Sequence, residues 1–120
     1  MKKTTVVLLI VCAMSTAVFG DVAEDLKRYS KDCDGGNAGG CYNLGVLYDE
    51  GIEVQQDKAK AVELYTKACN RGNAAACSNL GMMYYIGNGV RQNNTKAKEL
   101  FGKACNMNFE VGCKNYAIMH

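Results

Sequence analysis

The sequence predicts an all-α fold, a superhelical α/α solenoid of stacked helical hairpins, and three observations carry that expectation. The stretch Lys67–Tyr84 reappears 36 positions earlier and 36 later, so that Cys69 answers to Cys33 and Cys105, and Cys77 to Cys41 and Cys113. Ala61, Leu64, Tyr65 and Ala68 follow the spacing of one helix face, and Ala97, Leu100, Phe101 and Ala104 repeat it one period on. Each period also carries Gly36, Gly72 or Asn108 at its hinge, the two residue types that most easily adopt positive φ. A period of this length marks a helical-hairpin array, because one hairpin cannot bury its apolar face without neighbours.

The N-terminus has a different logic. Lys2 and Lys3 precede an apolar run, Val6 to Ala13, and small residues ending at Ala17 or Gly20, the layout of a secretory signal peptide. The run is shorter than the roughly 20 residues that cross a bilayer. The expected organisation is a leader over 1–20 and one repeat domain over 21–120, about three 36-residue periods, in a secreted or periplasmic protein with no membrane association after cleavage. Cleavage after Gly20 keeps Asp21 at the start of the repeat register.

Helices are expected near 22–33, 37–50, 57–70, 73–86, 94–106 and 109–119. The first keeps Leu26 and Tyr29 but places Asp25, Arg28 and Asp32 where later copies are apolar, as suits an end cap facing water. Asn37 and Asn73 are N-cap residues, as are Asp57 and Asn93, whereas Phe109 breaks the cap in the third copy. Gly51 and Gly87 suit the left-handed position that ends a helix. Met82 and Met83 read most simply as core.

Cys12 departs with the leader and leaves six cysteines, an even number that reads as a disulfide framework in an exported chain. The internal repeat selects Cys33–Cys41, Cys69–Cys77 and Cys105–Cys113, each pair flanking a hinge between antiparallel helices. On the chain-entropy model each short bridge contributes about 2.5 kcal/mol. No Cys-x-x-Cys or Cys/His spacing suggests a metal site, and no cofactor is expected.

The +2 net charge resides in the leader. Residues 21–56 carry eight acidic side chains against Lys27, Arg28 and Lys31, whereas residues 57–120 are net basic by five. The mature molecule is thus polar along its length, and nothing in its overall charge attracts nucleic acid.

Asn-Leu-Gly-x-x-Tyr at 43–48 and 79–84, Gly-x-Gly-Val at 87–90, Lys-Ala and the hinge-flanking cysteines together resemble Sel1-like repeats, relatives of the tetratricopeptide hairpin. The full pattern is similar to the Helicobacter cysteine-rich protein family, secreted chains with one bridge per repeat, and covers essentially the whole mature chain. In that register the chain is a leading helix, two full units and an unfinished third. It departs from the pattern where Tyr116-Ala117 replace Leu-Gly, where His120 stands for Tyr48 and Tyr84, and where Glu53 stands for the glycine seen at Gly89.

The resemblance implies binding and slow hydrolysis of β-lactams. The residues do not spell out such chemistry: a serine enzyme needs Ser-x-x-Lys, yet Ser30 is followed at that offset by Cys33 and Ser78 by Gly81. His120 is the single histidine, too few for a zinc hydrolase.

Asn43, Asn79 and Asn115 recur once per period on the Leu-Gly helices and form a candidate amide ladder for a β-lactam, a peptidoglycan-like small ligand, or a protein or peptide partner. The alternative is that each amide satisfies a neighbouring backbone group. Tyr42 and Tyr85 are the aromatic binding candidates; these rings, with Tyr84 and Tyr116, suit either core or groove.

Overall fold

The computed structural model describes residues 24–119; the leader expected over 1–20 and His120 lie outside them. Residues 24–34 are helical (α1), and Ala38–Glu50 (α2), Lys58–Asn70 (α3), Ala74–Ile86 (α4), Asn94–Asn106 (α5) and Glu110–Ile118 (α6) follow. Each consecutive pair from α2 onward packs together, and α4 also touches α6 directly, so the Leu-Gly helices share one side of an all-α solenoid.

Local chemistry sets the boundaries. The side-chain oxygens of Asn37, Asp57, Asn73 and Asn93 accept the backbone N–H three residues on, at 2.8–3.0 Å, and each cap fixes where its helix begins. Phe109 occupies the N-cap of α6 without a side-chain bond, as its apolar ring dictates. Gly51 and Gly87 end α2 and α4 at φ 69° and 79°, and the hinges Gly36, Gly72 and Asn108 are at 94°, 93° and 64°.

The Leu-Gly motif has a direct steric explanation. A Cβ on Gly45 would lie 2.8 Å from the Tyr65 ring, and one on Gly81 would lie 2.7 Å from Phe101. Each glycine is the seat on which the next helix lays its aromatic ring, and those rings are the largest fully buried side chains. Ala117, the third equivalent, is exposed and therefore has no such requirement.

Cys33–Cys41, Cys69–Cys77 and Cys105–Cys113 are bridged, with Cα atoms 4.4, 4.7 and 4.4 Å apart. The first two bridges are buried and the third half-buried. Over the first, the Arg71 guanidinium from the second hinge donates to the Cys33 carbonyl at 3.0 Å and to the Cys41 sulfur at 3.3 Å, tying consecutive units. Disulfides of this kind persist in oxidising compartments.

One expectation is corrected. Met83 is buried at 5% exposure but Met82 is 39% exposed, because Leu80, Gly81 and Met83 occupy the inward arc of α4 and leave Met82 on the rim. At the other end, α1 has the expected character of a cap. Leu26 and Tyr29 pack on the core, while Arg28 pairs with Asp25 at 2.7 Å in solvent. No described helix is long and apolar enough to cross a membrane.

Candidate functional site

Two open hollows flank α4, the first with α2 and the second with α5 and α6. The first, of about 290 Å³, lies between α2 and α4 and is lined by Asp49, Glu50, Lys58, Asn79, Met82 and Met83, with Ile86 and Asn88 at its edge. The second, of about 580 Å³, is lined by Tyr85, Asn94, Thr95, Lys98, Glu99 and Tyr116 with Ile118 and Met119. An apolar recess of about 160 Å³ reaches inward from it to Phe101 and Asn115.

Tyr65 from α3 organises the first hollow. Its hydroxyl donates to Asp49 Oδ2 at 3.0 Å, while Lys58 Nζ holds Asp49 Oδ1 at 2.6 Å. Burial, then the Asp49 charge and its hydrogen bond, push the Tyr65 phenol far above the ordinary tyrosine range, and the nearby Asn79 amide opposes that rise. The phenol is therefore a donor that fixes Asp49. It is not a nucleophile at neutral pH.

The second hollow repeats part of the first one period later, with different chemistry, and takes the rest of its lining, Thr95, Lys98, Glu99 and Tyr116, from residues whose counterparts do not line the first. Tyr85 stands where Asp49 stood, Ile86 for Glu50, Asn94 for Lys58 and Phe101 for Tyr65. Without a hydroxyl on the buried ring, no carboxylate is required beside it, and Tyr85 turns outward at 46% exposure. Lys98 Nζ lies 5.2 Å from the centroid of the Tyr116 ring, leaving a cation and an aromatic face on one wall.

The sequence candidates separate accordingly. Asn79 lines the first hollow and Asn115 the recess of the second. Asn43 is exposed and lines neither. Tyr85 is a wall of the second hollow, whereas Tyr42 is half-buried with its ring centroid 5.9 Å from that of Tyr65 and packs as structure. Sequence reasoning missed Asp49, Glu50, Lys58 and Lys98. The signal available was the switch from Asp49-Glu50 to Tyr85-Ile86 between otherwise matching helices.

Among the described residues no group of three or more His, Cys, Asp or Glu is placed to hold a metal ion. The hydroxyls of Ser78 and Thr66 are not nucleophile candidates in either hollow. Ser78 is buried at 3% exposure, and Thr66 donates to the Val62 carbonyl at 2.6 Å.

Comparison with known proteins agrees with the architecture. Residues 38–73 and 74–109 each match the model of the Sel1 repeat. Helicobacter pylori cysteine rich protein B is similar over 74% of this chain and 67% of its own, at 36% identity and TM-score 0.73. A protective antigen of uropathogenic Escherichia coli strains, displaying an SLR fold, is 31% identical over 73% of this chain and 19% of its own, with TM-score 0.71. A Sel1 repeat protein from Oxalobacter formigenes, 24% identical over 76% of this chain and 37% of its own, shares the fold at TM-score 0.74. This chain thus spans two thirds of the first of these proteins and much less of the other two. No curated protein gives a significant match. Two complete repeat units, a disulfide across each described hinge and the likeness to a cysteine-rich relative lead to one conclusion: the chain belongs to the Sel1 repeat family.

Proposed function

We propose that the protein is an exported, non-catalytic interaction scaffold that holds a peptide segment of a partner protein along the α2/α4/α6 face. The observation that carries this reading is the pair of open hollows, flanking α4 and rimmed by exposed Met82, Tyr85, Ile86 and Tyr116. Exposed aromatic side chains supply a large contact area with few rotatable bonds, and flexible methionines adapt to the shape of what they meet. The bridges support export to a secreted or periplasmic location, where they remain oxidised.

The test is an unbiased one. Random peptides displayed on phage are selected against the oxidised protein and then titrated against Asn79→Ala and Tyr85→Ala, with melting temperature measured on the same samples. Selected peptides should bind these variants at least about tenfold more weakly, a loss of roughly 1.4 kcal/mol. Equal binding to wild type and both variants would remove the groove from the reading. So would an affinity loss fully accounted for by unfolding.

A second reading, β-lactam binding with slow hydrolysis, follows from the resemblance to the cysteine-rich family. One observation favours the binding part: Lys98 is a cation beside aromatic walls in the larger hollow, where it would meet a β-lactam carboxylate. A chromogenic cephalosporin incubated with native and with reduced, heat-denatured protein separates the two readings. Turnover that persists through purification and vanishes on reduction would favour the enzyme.

A further inference from the structure

Three substitutions between matching positions give the hollow of α4, α5 and α6 a chemistry that the earlier copies lack. Lys98 stands where Leu26 and Val62 pack against the core, Tyr116 where Leu44 and Leu80 are buried, and Gly102 where the sequence has Ser30 and Thr66. These changes fit one another. A glycine in a helix interior is unfavourable, but here it makes room, since a Cβ on Gly102 would come within 3.1 Å of the Tyr116 ring. That ring lies against α5 with Lys98 Nζ 5.2 Å from its centroid.

Lys98 is a cation without a carboxylate. Among the described residues no Asp or Glu is within salt-bridge distance of it, and Glu99, which shares the hollow, is held by Lys96 at 3.5 Å. Lys98 is also half-buried. An ammonium partly withdrawn from water, with a ring face on one side, gains from an incoming anion.

The recess supplies the other half of the site. It shares Tyr85, Ile118 and Met119 with the hollow, so the two are continuous, and Met82, Phe101 and Asn115 complete it. Its volume of about 160 Å³ is below the roughly 300 Å³ at which pockets begin to take whole drug-sized ligands, and suits one aliphatic or aromatic side chain. The Asn115 amide is the one polar side chain of its lining and can donate to an oxygen. In a polypeptide only the C-terminal residue carries an apolar side chain and a carboxylate on the same carbon.

We propose that this hollow captures the free C-terminal residue of a partner polypeptide, with the α-carboxylate on Lys98 and the apolar side chain in the recess. This rests on the scaffold reading and adds to it which part of the partner enters here.

The probes are serine-glycine pentapeptides ending in leucine, phenylalanine or alanine, each as the free acid and as the C-terminal amide. Binding to the oxidised, isotope-labelled protein is read from backbone amide shifts. The leucine and phenylalanine acids should shift amides around the hollow and bind at least about tenfold more tightly than their own amides and than the alanine acid. Lys98→Val, which installs the residue of the preceding copy, should remove the difference between acid and amide, whereas Lys98→Arg should keep it. Equal affinity of acid and amide, the same discrimination in Lys98→Val, or no shifts at about 5 mM peptide would overturn the proposal. So would an amidated peptide with glutamate beside its leucine that binds as tightly as the leucine acid, because Lys98 would then serve an internal acidic side chain. Peptides displayed on phage are joined to the coat protein through their C-terminus, so the two readings fail separately. Displayed peptides that need Asn79 and Tyr85, with no binding by the free acids, would keep the scaffold and overturn the terminal site.

Discussion

Tyr65 and Phe101 lie on equivalent glycines, Gly45 and Gly81, one repeat apart, and are buried to the same 1% exposure. A single oxygen separates them, and it changes the surroundings. The Tyr65 hydroxyl requires an acceptor in a place water barely reaches, so Asp49 is held there, and Lys58 in turn neutralises Asp49. Phe101 makes no such demand, which leaves position 85 available for an outward-facing tyrosine. The polarity of each hollow thus follows from the para position of the ring beneath it. Chemistry on the face that carries the hollows is altered here without disturbing the backbone that supports it.

Removing the rings should show what the two regions share. Phe101→Ala or Tyr65→Ala should each cost about 3–5 kcal/mol by leaving a cavity beside a glycine that cannot fill it. A total stability of about 5–15 kcal/mol makes either variant marginal. Urea unfolding followed by circular dichroism measures the loss. A cost below about 1 kcal/mol at either site would mean that the ring is not the keystone of its hairpin pair.

The bridges distinguish the regions next. Cys69–Cys77 is buried, whereas Cys105–Cys113 is half-buried at the edge of α5 and α6. Dithiothreitol without denaturant should open Cys105–Cys113 first, as read by alkylation and mass spectrometry. Each bridge lost should lower stability by about 2.5 kcal/mol. Simultaneous opening of all three would show that reduction proceeds through global unfolding and that the burial difference has no consequence.

Much of this architecture was legible in advance, and for definite physical reasons. Caps, hinges and bridges depend on one residue type at a fixed offset, so Asn37, Asn73, Gly72 and the eight-residue cysteine spacing could be read directly. The aromatic positions could be placed by periodicity too. The Asp49–Lys58–Tyr65 cluster could not, because its members lie 9 and 16 residues apart on separate helices and only packing joins them. Met82 failed for a related reason. Two adjacent methionines look alike in sequence, but a helix turns about 100° per residue and the core takes only one of them. The asparagine ladder was half visible: periodicity identifies the positions, while the hollows depend on what flanks them, and Asn43 lines neither of the two.

The phenol itself makes a pH-dependent difference between the regions. Tyr65 is raised far above the ordinary value of 10.0 by burial first and by Asp49 second. A raised folded-state value means that the neutral form is favoured in the fold. Its contribution is fully present below about pH 10 and is lost as pH rises from there, because the unfolded chain releases a proton that the native state keeps. The slope from this one group approaches about 1.4 kcal/mol per pH unit. In Tyr65→Phe that slope should disappear, at a cost of about 1–2 kcal/mol at neutral pH from the lost hydrogen bond and the less satisfied Asp49. The converse variant, Phe101→Tyr, should lose about 1–3 kcal/mol, since Tyr85 cannot accept as a carboxylate does. Equal alkaline slopes for wild type and Tyr65→Phe would assign the effect to other groups.

The smallest effect concerns the two loops that lead out of α2 and α4. Gly89 adopts φ 75°, and a Cβ there would come within 2.5 Å of the Lys58 carbonyl carbon, so both backbone angle and space require glycine. Glu53 occupies the matching place at φ 59°, a left-handed conformation that is unfavourable for a side chain bearing a Cβ. It is exposed, so space allows the side chain and only the backbone angle objects. Glu53→Gly should therefore stabilise the protein by up to about 1 kcal/mol, the relieved strain being partly offset by the greater freedom of glycine in the unfolded chain. Thermal unfolding at several salt concentrations decides whether strain is the cause. Glu53 also belongs to the acidic N-terminal half, and removing a charge there relieves repulsion that salt would screen over about 8–10 Å. A gain that persists at high salt belongs to the backbone angle, whereas one that disappears belongs to the charge and would leave the two loops equivalent in strain.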